Sequence, residues 1–350
     1  MARVAEADLR DLVEVLLESF GVPANFVAVA ADALVSADME GIASHGVMLL
    51  PMYADRIRAG SVNGAAVPQV VEDHGALVTL SAGHGLGQVS SQLAVDLVTE
   101  RARVHGAAVI AVRDGFHFGA ASYWTKRIAA KGMVGFAFSN TRPLMPAPGG
   151  AGRVVGNNPM SIAFPSASGE PLVIDMAMSA TAMGKIRLAD GRGEPIPEGW
   201  ATDDQGNPTT SAAAAIAGML LPAAGPKGFG LAVVIDLLCG ALSGGAVGAA
   251  VTPLYGDPSV PYGCAHAFIA IDATKLQKSD VPSAVAAFAD NIRHSAKAPG
   301  TGRVYAPGDL ERDVRLRNGA ICTVSNDLLQ SLNDLAKQAG LPNRLSPVAS

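Results

Sequence analysis

Apolar residues recur every three to four positions at Leu9, Leu12, Val13, Leu16 and Phe20, and Gly21 closes the run. That spacing predicts an amphipathic helix with a glycine stop. A second helix is predicted from about Pro23 and Asn25 to Ser36. A third runs through Leu50, Tyr53, Ala54 and Ile57 and is ended by Gly60. Residues 1–70 thus read as a small helical unit.

From Gln69 the period changes. "VVEDHGALVTLSAGHGLG" alternates between apolar and polar residues and is punctuated by glycine, which predicts strands. "QVSSQLAVDLVTERARVHG" predicts a helix, "AAVIAV" a buried strand, "ASYWTKRIAAKG" a helix and "MVGFAFSN" a strand. "MSIAFPS" and "PLVIDMA" add strands, and "DGRGEPIPEGWATDDQGNPTT" reads as a long loop. "GPKGFGLAVVIDLLCGALSGG" then predicts a helix, "AHAFIAID" a strand and "VPSAVAAFADNIRHSAK" a helix. Alternating strands and helices across residues 71–300 predict a layered α/β region. Residues 301–350, with a last helix from Ser325 to about Ala339 capped by Gly340, are expected to pack on the N-terminal helices.

Composition narrows the function. The 350 residues are 49% hydrophobic and 16% charged, with a net charge of −5 and no basic run, so no nucleic-acid footprint is present. Cys239, Cys264 and Cys322 are widely spaced and odd in number, which points to a reducing, cytoplasmic setting. The seven histidines show no metal-ligand spacing. The charged N-terminus does not resemble a signal peptide, and the most apolar helix is short and carries Asp236, so no membrane association is expected.

Five stretches carry candidate chemistry. Gly83, Gly85 and Gly87 lie between a strand and a helix, but Gln88 stands where a dinucleotide fingerprint needs its last glycine. A glycine-rich turn is the better reading. "GFHFGAASYW" places His117 near a predicted helix start, as an anion site or as a cap. "GPKGFG" places Lys227 at a helix start, where the dipole disfavours a cation unless an anion joins it; the alternative is a solvated lysine. "GNNPMSIAFP" and "DMAMSATAMGK" bring Asn157, Asn158, Asp175, Ser179 and Lys185, with the last three placed in one helical segment or turn. Finally, "ASHGVMLL" pairs Ser44 with His45, which reads either as a core histidine or as a proton donor to a carbonyl.

Together, "SHGV", "LPMYADRIRAG", "HFGAASYW", "GNNPMSIAFP", "DMAMSATAMGKI", "IPEGWATDDQGNPTT", "GPKGFGLAVVIDLLCGALSGG" and "PGD" resemble the type-2 malate/L-lactate dehydrogenases, in order and over nearly the whole chain. The resemblance implies a three-layer α/β unit around a mixed sheet, with non-Rossmann NAD or NADP binding and a small helical domain from both chain ends. It also implies a homodimer that interconverts 2-oxo and 2-hydroxy acids. Reduction of a cyclic imino acid is the alternative.

Carried over by position, His45 looks like the proton donor, with Ser44 as its relay and His117 as a second acid–base candidate. Phe118, Gly119, Ala120, Ala121, Asp175, Met176, Ala177, Lys227, Gly228, Pro307, Gly308 and Asp309 look like cofactor contacts. Lys185 stands where imine reducers carry Asp, and Asn157 looks like a substrate contact. Leu49 replaces the family's carboxylate-gripping Arg, which tilts the reading toward a larger or less polar substrate than malate. Lys185, Asn157 or Arg142, beside Thr141, would then hold the carboxylate.

Overall fold

The computed structural model describes residues 1–276, 280–342 and 345–348. The predicted helices form as α1 (Glu6–Ser19), α2 (Ala24–Met39) and α3 (Leu50–Arg58). They are preceded by a strand that periodicity did not reveal, β1 (Ala2–Ala5). Four residues are too few to display a period, and β1 exists because it pairs antiparallel with β13 (Ile321–Val324) near the other end of the chain. One buried cluster unites Leu9, Leu12 and Leu16 of α1 with Leu34 of α2 and with Leu332 and Leu335 of α11 (Asn326–Gln338). The chain ends therefore share one core.

The central sheet contains β2 (Gln69–Asp73), β3 (Leu77–Ser81), β4 (Ala107–Gly115), β5 (Val134–Ser139), β8 (Met160–Phe164), β9 (Leu172–Met176) and β12 (Cys264–Ile271). Its order is β2-β3-β4-β12-β5-β8-β9. Only β3 and β4 run parallel, joined by α4 (Gly87–His105); every other pair is antiparallel. Two short ribbons, β6 (Met145–Pro146) with β7 (Arg153–Val155) and β10 (Ala201–Thr202) with β11 (Met219–Leu220), lie outside this sheet.

Three layers follow from the two-residue period of β12. Phe268 and Ala270 join the cluster of Val95 and Val98 on α4 with Trp124 and Ile128 on α5 (Ala121–Ala129). Ala265 and Ala267 join Ala232 and Ile235 of α8 (Pro226–Asp236) on the other face. Burial on both faces explains why β12 reads as a continuous apolar run.

Two expectations are corrected and two further helices are added. Asp175 lies near the end of β9, Ser179 forms an isolated bridge to Pro222, and Lys185 lies on α6 (Met183–Arg192), so these residues share no single helix or turn. The long loop is interrupted: Asp190–Arg192 finish α6, and Ala201 and Thr202 pair with Leu220 and Met219. A further short helix, α7 (Ala212–Ala217), is capped by Ser211. After α9 (Val281–Arg293), the segment following "PGD" is itself helical, α10 (Asp309–Asn318); its charged sequence conceals a helix.

Candidate functional site

The glycine-rich turn before α4 serves packing. A Cβ on Gly87 would lie 2.2 Å from the carbonyl oxygen of Phe116 and 2.5 Å from that of His117. Gly87 thus lets the start of α4 press against the loop that carries His117. This need for close approach produced a near-fingerprint without a dinucleotide turn.

His117 lies in the segment between β4 and α5, four residues before α5 begins. The Gly119 N–H donates to its Nδ1 at 3.3 Å. The Tyr53 hydroxyl lies 2.9 Å from the same nitrogen and accepts at 3.2 Å from the Gln88 side-chain amide. An amide N–H must donate, so Nδ1 is the bare nitrogen and the neutral ring carries its proton on Nε2. Burial pushes the His117 pKa well below its usual value, and His45 and His266 add to this.

His45 sits on a short 3-10 turn, Ala43–His45, with Ser44 Oγ 2.9 Å from its Nδ1. Its ring centroid is 5.4 Å from that of His117. Burial lowers its pKa, and the Asp175 carboxylate opposes that shift. Asp175 accepts from the Ser122 N–H at 2.7 Å, and the surrounding protein raises its own pKa. Three regions distant in sequence therefore converge: the 3-10 turn with the neighbouring α3, the segment after β4, and the end of β9.

The substrate-side residues divide. Thr141 Oγ1 donates to Asn157 Oδ1 at 3.0 Å, so those two are brought together. Arg142 follows Thr141, half-buried, and among the described residues its guanidinium makes no hydrogen bond or ion pair. Burial lowers its pKa, as do Arg153 and Arg187, while Tyr262 acts in the opposite sense. Lys185 is exposed on α6, with no described interaction to either histidine. Leu49 is buried in the core with Leu50 and Tyr53, so it forms no part of an open substrate surface.

The cofactor candidates divide as well. Phe118 is buried, with its ring stacked 4.5 Å from His266, so its side chain belongs to the core. Gly119 has φ +81°, and Ala120 and Ala121 are buried where α5 starts, leaving backbone groups as what this stretch presents. Met176 is exposed and Ala177 half-buried beside Asp175. Lys227 is exposed in the first turn of α8 with no ion-pair partner among the described residues. Gly228 is there for packing, because a Cβ would lie 2.0 Å from the Ala223 oxygen.

Asp309 is paired within the chain. Its carboxylate is 2% exposed and occupied by Arg293 at 2.8 Å, Arg312 at 3.2 Å and the Ala306 N–H at 2.9 Å. Gly308, at φ +91°, lies against Val173, and the Pro307 oxygen accepts from the Val173 N–H at 3.3 Å. The segment therefore braces β9 and through it Asp175.

Sequence reasoning missed Tyr53 and Gln88 as parts of this site. Their signal is faint, since each sits at a helical position that also reads as ordinary packing. An open depression lined by Asp190, Glu194, Pro195 and Thr210 contains none of the site residues. Among the described residues no helix is long and apolar enough to cross a membrane.

The sequence profile of the malate/L-lactate dehydrogenases matches residues 4–333. The (2R)-3-sulfolactate dehydrogenase (NADP(+)) of Chromohalobacter salexigens is 36% identical over 288 residues, covering 82% of this chain and 86% of that one. The sulfolactate dehydrogenase structure from Methanocaldococcus jannaschii superposes with a TM-score of 0.91 at 32% identity, covering 97% of this chain and 98% of that one. The delta1-piperideine-2-carboxylate reductase of Pseudomonas syringae pvar. tomato gives 0.86 at 28% identity, covering 96% and 100%.

Proposed function

The chain belongs to the malate/L-lactate dehydrogenase family of NAD(P)-dependent 2-hydroxy-acid dehydrogenases, and on that premise we propose that it interconverts a 2-oxo and a 2-hydroxy acid with His45 moving the proton. The observation that carries this reading is the pair of imidazoles 5.4 Å apart, one with a hydroxyl relay and one locked in a single tautomer.

The residues present fit a nicotinamide nucleotide. Lys227 in the first turn of α8 lacks a counter-ion among the described residues, and Thr181 Oγ1 is buried without a partner. Lys227 and the α5 and α8 N-termini would hold its phosphates. Asp175, Met176 and Ala177 would border the ring. When bound, that group would accept the hydride in oxidation and supply it in reduction.

The chain does the rest. In oxidation, neutral His45 takes the hydroxyl proton, and Ser44 and solvent carry it away. In reduction, protonated His45 returns it. His117, neutral with Nε2–H, donates a hydrogen bond to the same oxygen and orients it. Asp175 steadies the charge on His45. Arg142, half-buried and uncompensated, grips the substrate carboxylate in place of the arginine absent at position 49.

A second copy of the chain is the partner that fits the apolar residues Leu231, Val234, Leu237 and Leu242, 48–61% exposed along α8 and the turn after it. The buried, unpaired Cys239, Cys264 and Cys322 fit a cytoplasmic protein.

The test is a panel of 2-hydroxy acids and their 2-oxo counterparts, with pyrroline-2-carboxylate beside them, assayed with both nucleotides. Turnover of a hydroxy acid, with Arg142→Ala raising its KM roughly ten- to hundredfold, is the expected result. Turnover of the imino acid alone overturns the reading.

A further inference from the structure

Asp38 lies in the last turn of α2 beside the turn that carries His45, and nothing in the dehydrogenase reading assigns it a role. Its side chain is 8% exposed. Oδ2 accepts from the Val47 N–H at 2.7 Å, the only hydrogen bond to this carboxyl among the described residues. The carboxyl also occupies the space where residue 46 would place a side chain. A Cβ on Gly46 would stand 2.0 Å from Oδ2, 2.4 Å from Cγ and 2.8 Å from Oδ1. Gly46 has φ −99°, a value open to other residues, so its glycine is required by the Asp38 carboxyl and not by the backbone.

The Ser44–His45–Gly46–Val47 turn is thus clasped by one buried acid, by close packing at Gly46 and by hydrogen bond at Val47. Neither 3-10 turn, Ala43–His45 or Val47–Leu49, is capped by the residue that precedes it; Asp38 supplies the cap of the second from α2. The bond to Asp38 therefore ties the turn to α2 two residues after His45.

We propose that Asp38 is a positioning residue, acting through the Val47 amide to hold the Ser44–His45 turn in register with His117. The proposal rests on the dehydrogenase reading for its kinetic arm, but not for its spectroscopic one. Burial supports it by pushing the Asp38 carboxyl up to about 7, against the pull of the Val47 N–H. The ionised acceptor binds that amide more strongly than the neutral acid does. Hold on the turn therefore strengthens as pH rises through neutrality.

The charged groups packed around it are accounted for. Cys322 on β13 has its thiol pushed up to about 12 by burial, with Asp38 and Glu6 contributing. Glu6 and Arg315 are paired at 2.8 Å, and Glu40 is held by Lys126 at 2.7 Å. His45 lies on the turn itself.

The experiment uses full-length protein and Asp38→Asn, which keeps size and an acceptor but removes the charge. In the folded variant kcat falls about tenfold with the nucleotide KM unchanged, and the rise of kcat through pH 7 disappears. Wild-type kcat and pH profile in folded Asp38→Asn overturn the proposal. Gly46→Ala, which pushes the turn off the carboxyl, is expected to lose turnover in the same way; full activity there also overturns it.

A variant-free arm titrates the Val47 amide proton of the 15N-labelled wild type without substrate. A shift with its midpoint near pH 7 supports the clasp, and a flat titration overturns it. If no substrate is turned over at all, the dehydrogenase reading fails while this arm still decides the role of Asp38.

Discussion

His266 stands within β12 with both ring nitrogens occupied, whereas His45 stands on a short turn with only Nδ1 partnered among the described residues. His266 Nε2 donates to the Phe116 oxygen at 3.0 Å, so Nδ1 must accept from Ser139 Oγ, also at 3.0 Å. The ring is fully buried, and burial pushes its pKa down to about 4. His45 is half-buried, keeps one nitrogen for a ligand, and faces a second imidazole and a carboxylate. The contrast teaches that partners decide a histidine's role, since both residues follow small side chains and adjoin apolar runs in sequence.

Replacing each histidine should separate the two roles. The largest effect is expected from His45→Ala: turnover falls roughly 10²–10⁴-fold, while fluorescence titration finds nucleotide affinity nearly unchanged. Near wild-type turnover would break the comparison and pass the role to His117. His266→Leu should instead lower thermal and chemical stability by about 1–3 kcal/mol, because Ser139 Oγ and the Phe116 oxygen lose their partner. Unchanged stability in that variant would end the structural assignment.

A further effect concerns acid. The folded pKa of His266 is depressed, so a neutral ring adds stability above the unfolded value, about 6.5, and this is lost as pH falls toward 4. The stability gap between wild type and His266→Leu should therefore narrow from pH 7 to pH 4 in denaturant melts. A gap that stays constant would mean that His266 keeps its ordinary pKa.

Much of the fold was legible because long periods survive in sequence. Leu9 to Phe20 display a helix, and "AAVIAV" and "AHAFIAID" display strands buried on both faces. The failed glycine fingerprint was legible as well, and the mixed sheet, with only β3 and β4 parallel, is consistent with that failure. Elements defined by a distant partner left no trace: β1 needs β13, and the clustering of Asp175 with His45 needs β9 to end beside the turn. Within the site, Ser44, His45 and His117 were singled out by residue type and resemblance. Tyr53 and Gln88, which fix the His117 tautomer, were not, because a helical tyrosine and a buried glutamine look like packing until their hydrogen bonds are seen.

The sequence by itself determined the alternation of helices and strands, the family, and the loss of an arginine at position 49. It could do so because side-chain period and residue identity are local properties. Only the tertiary structure decided that Leu49 is core, that Asp309 is spent on arginines, that Arg142 is left without an anion, and that Gly46 is glycine because Asp38 fills its space. Each of those depends on which atoms from remote segments arrive within contact distance, and no local pattern encodes that.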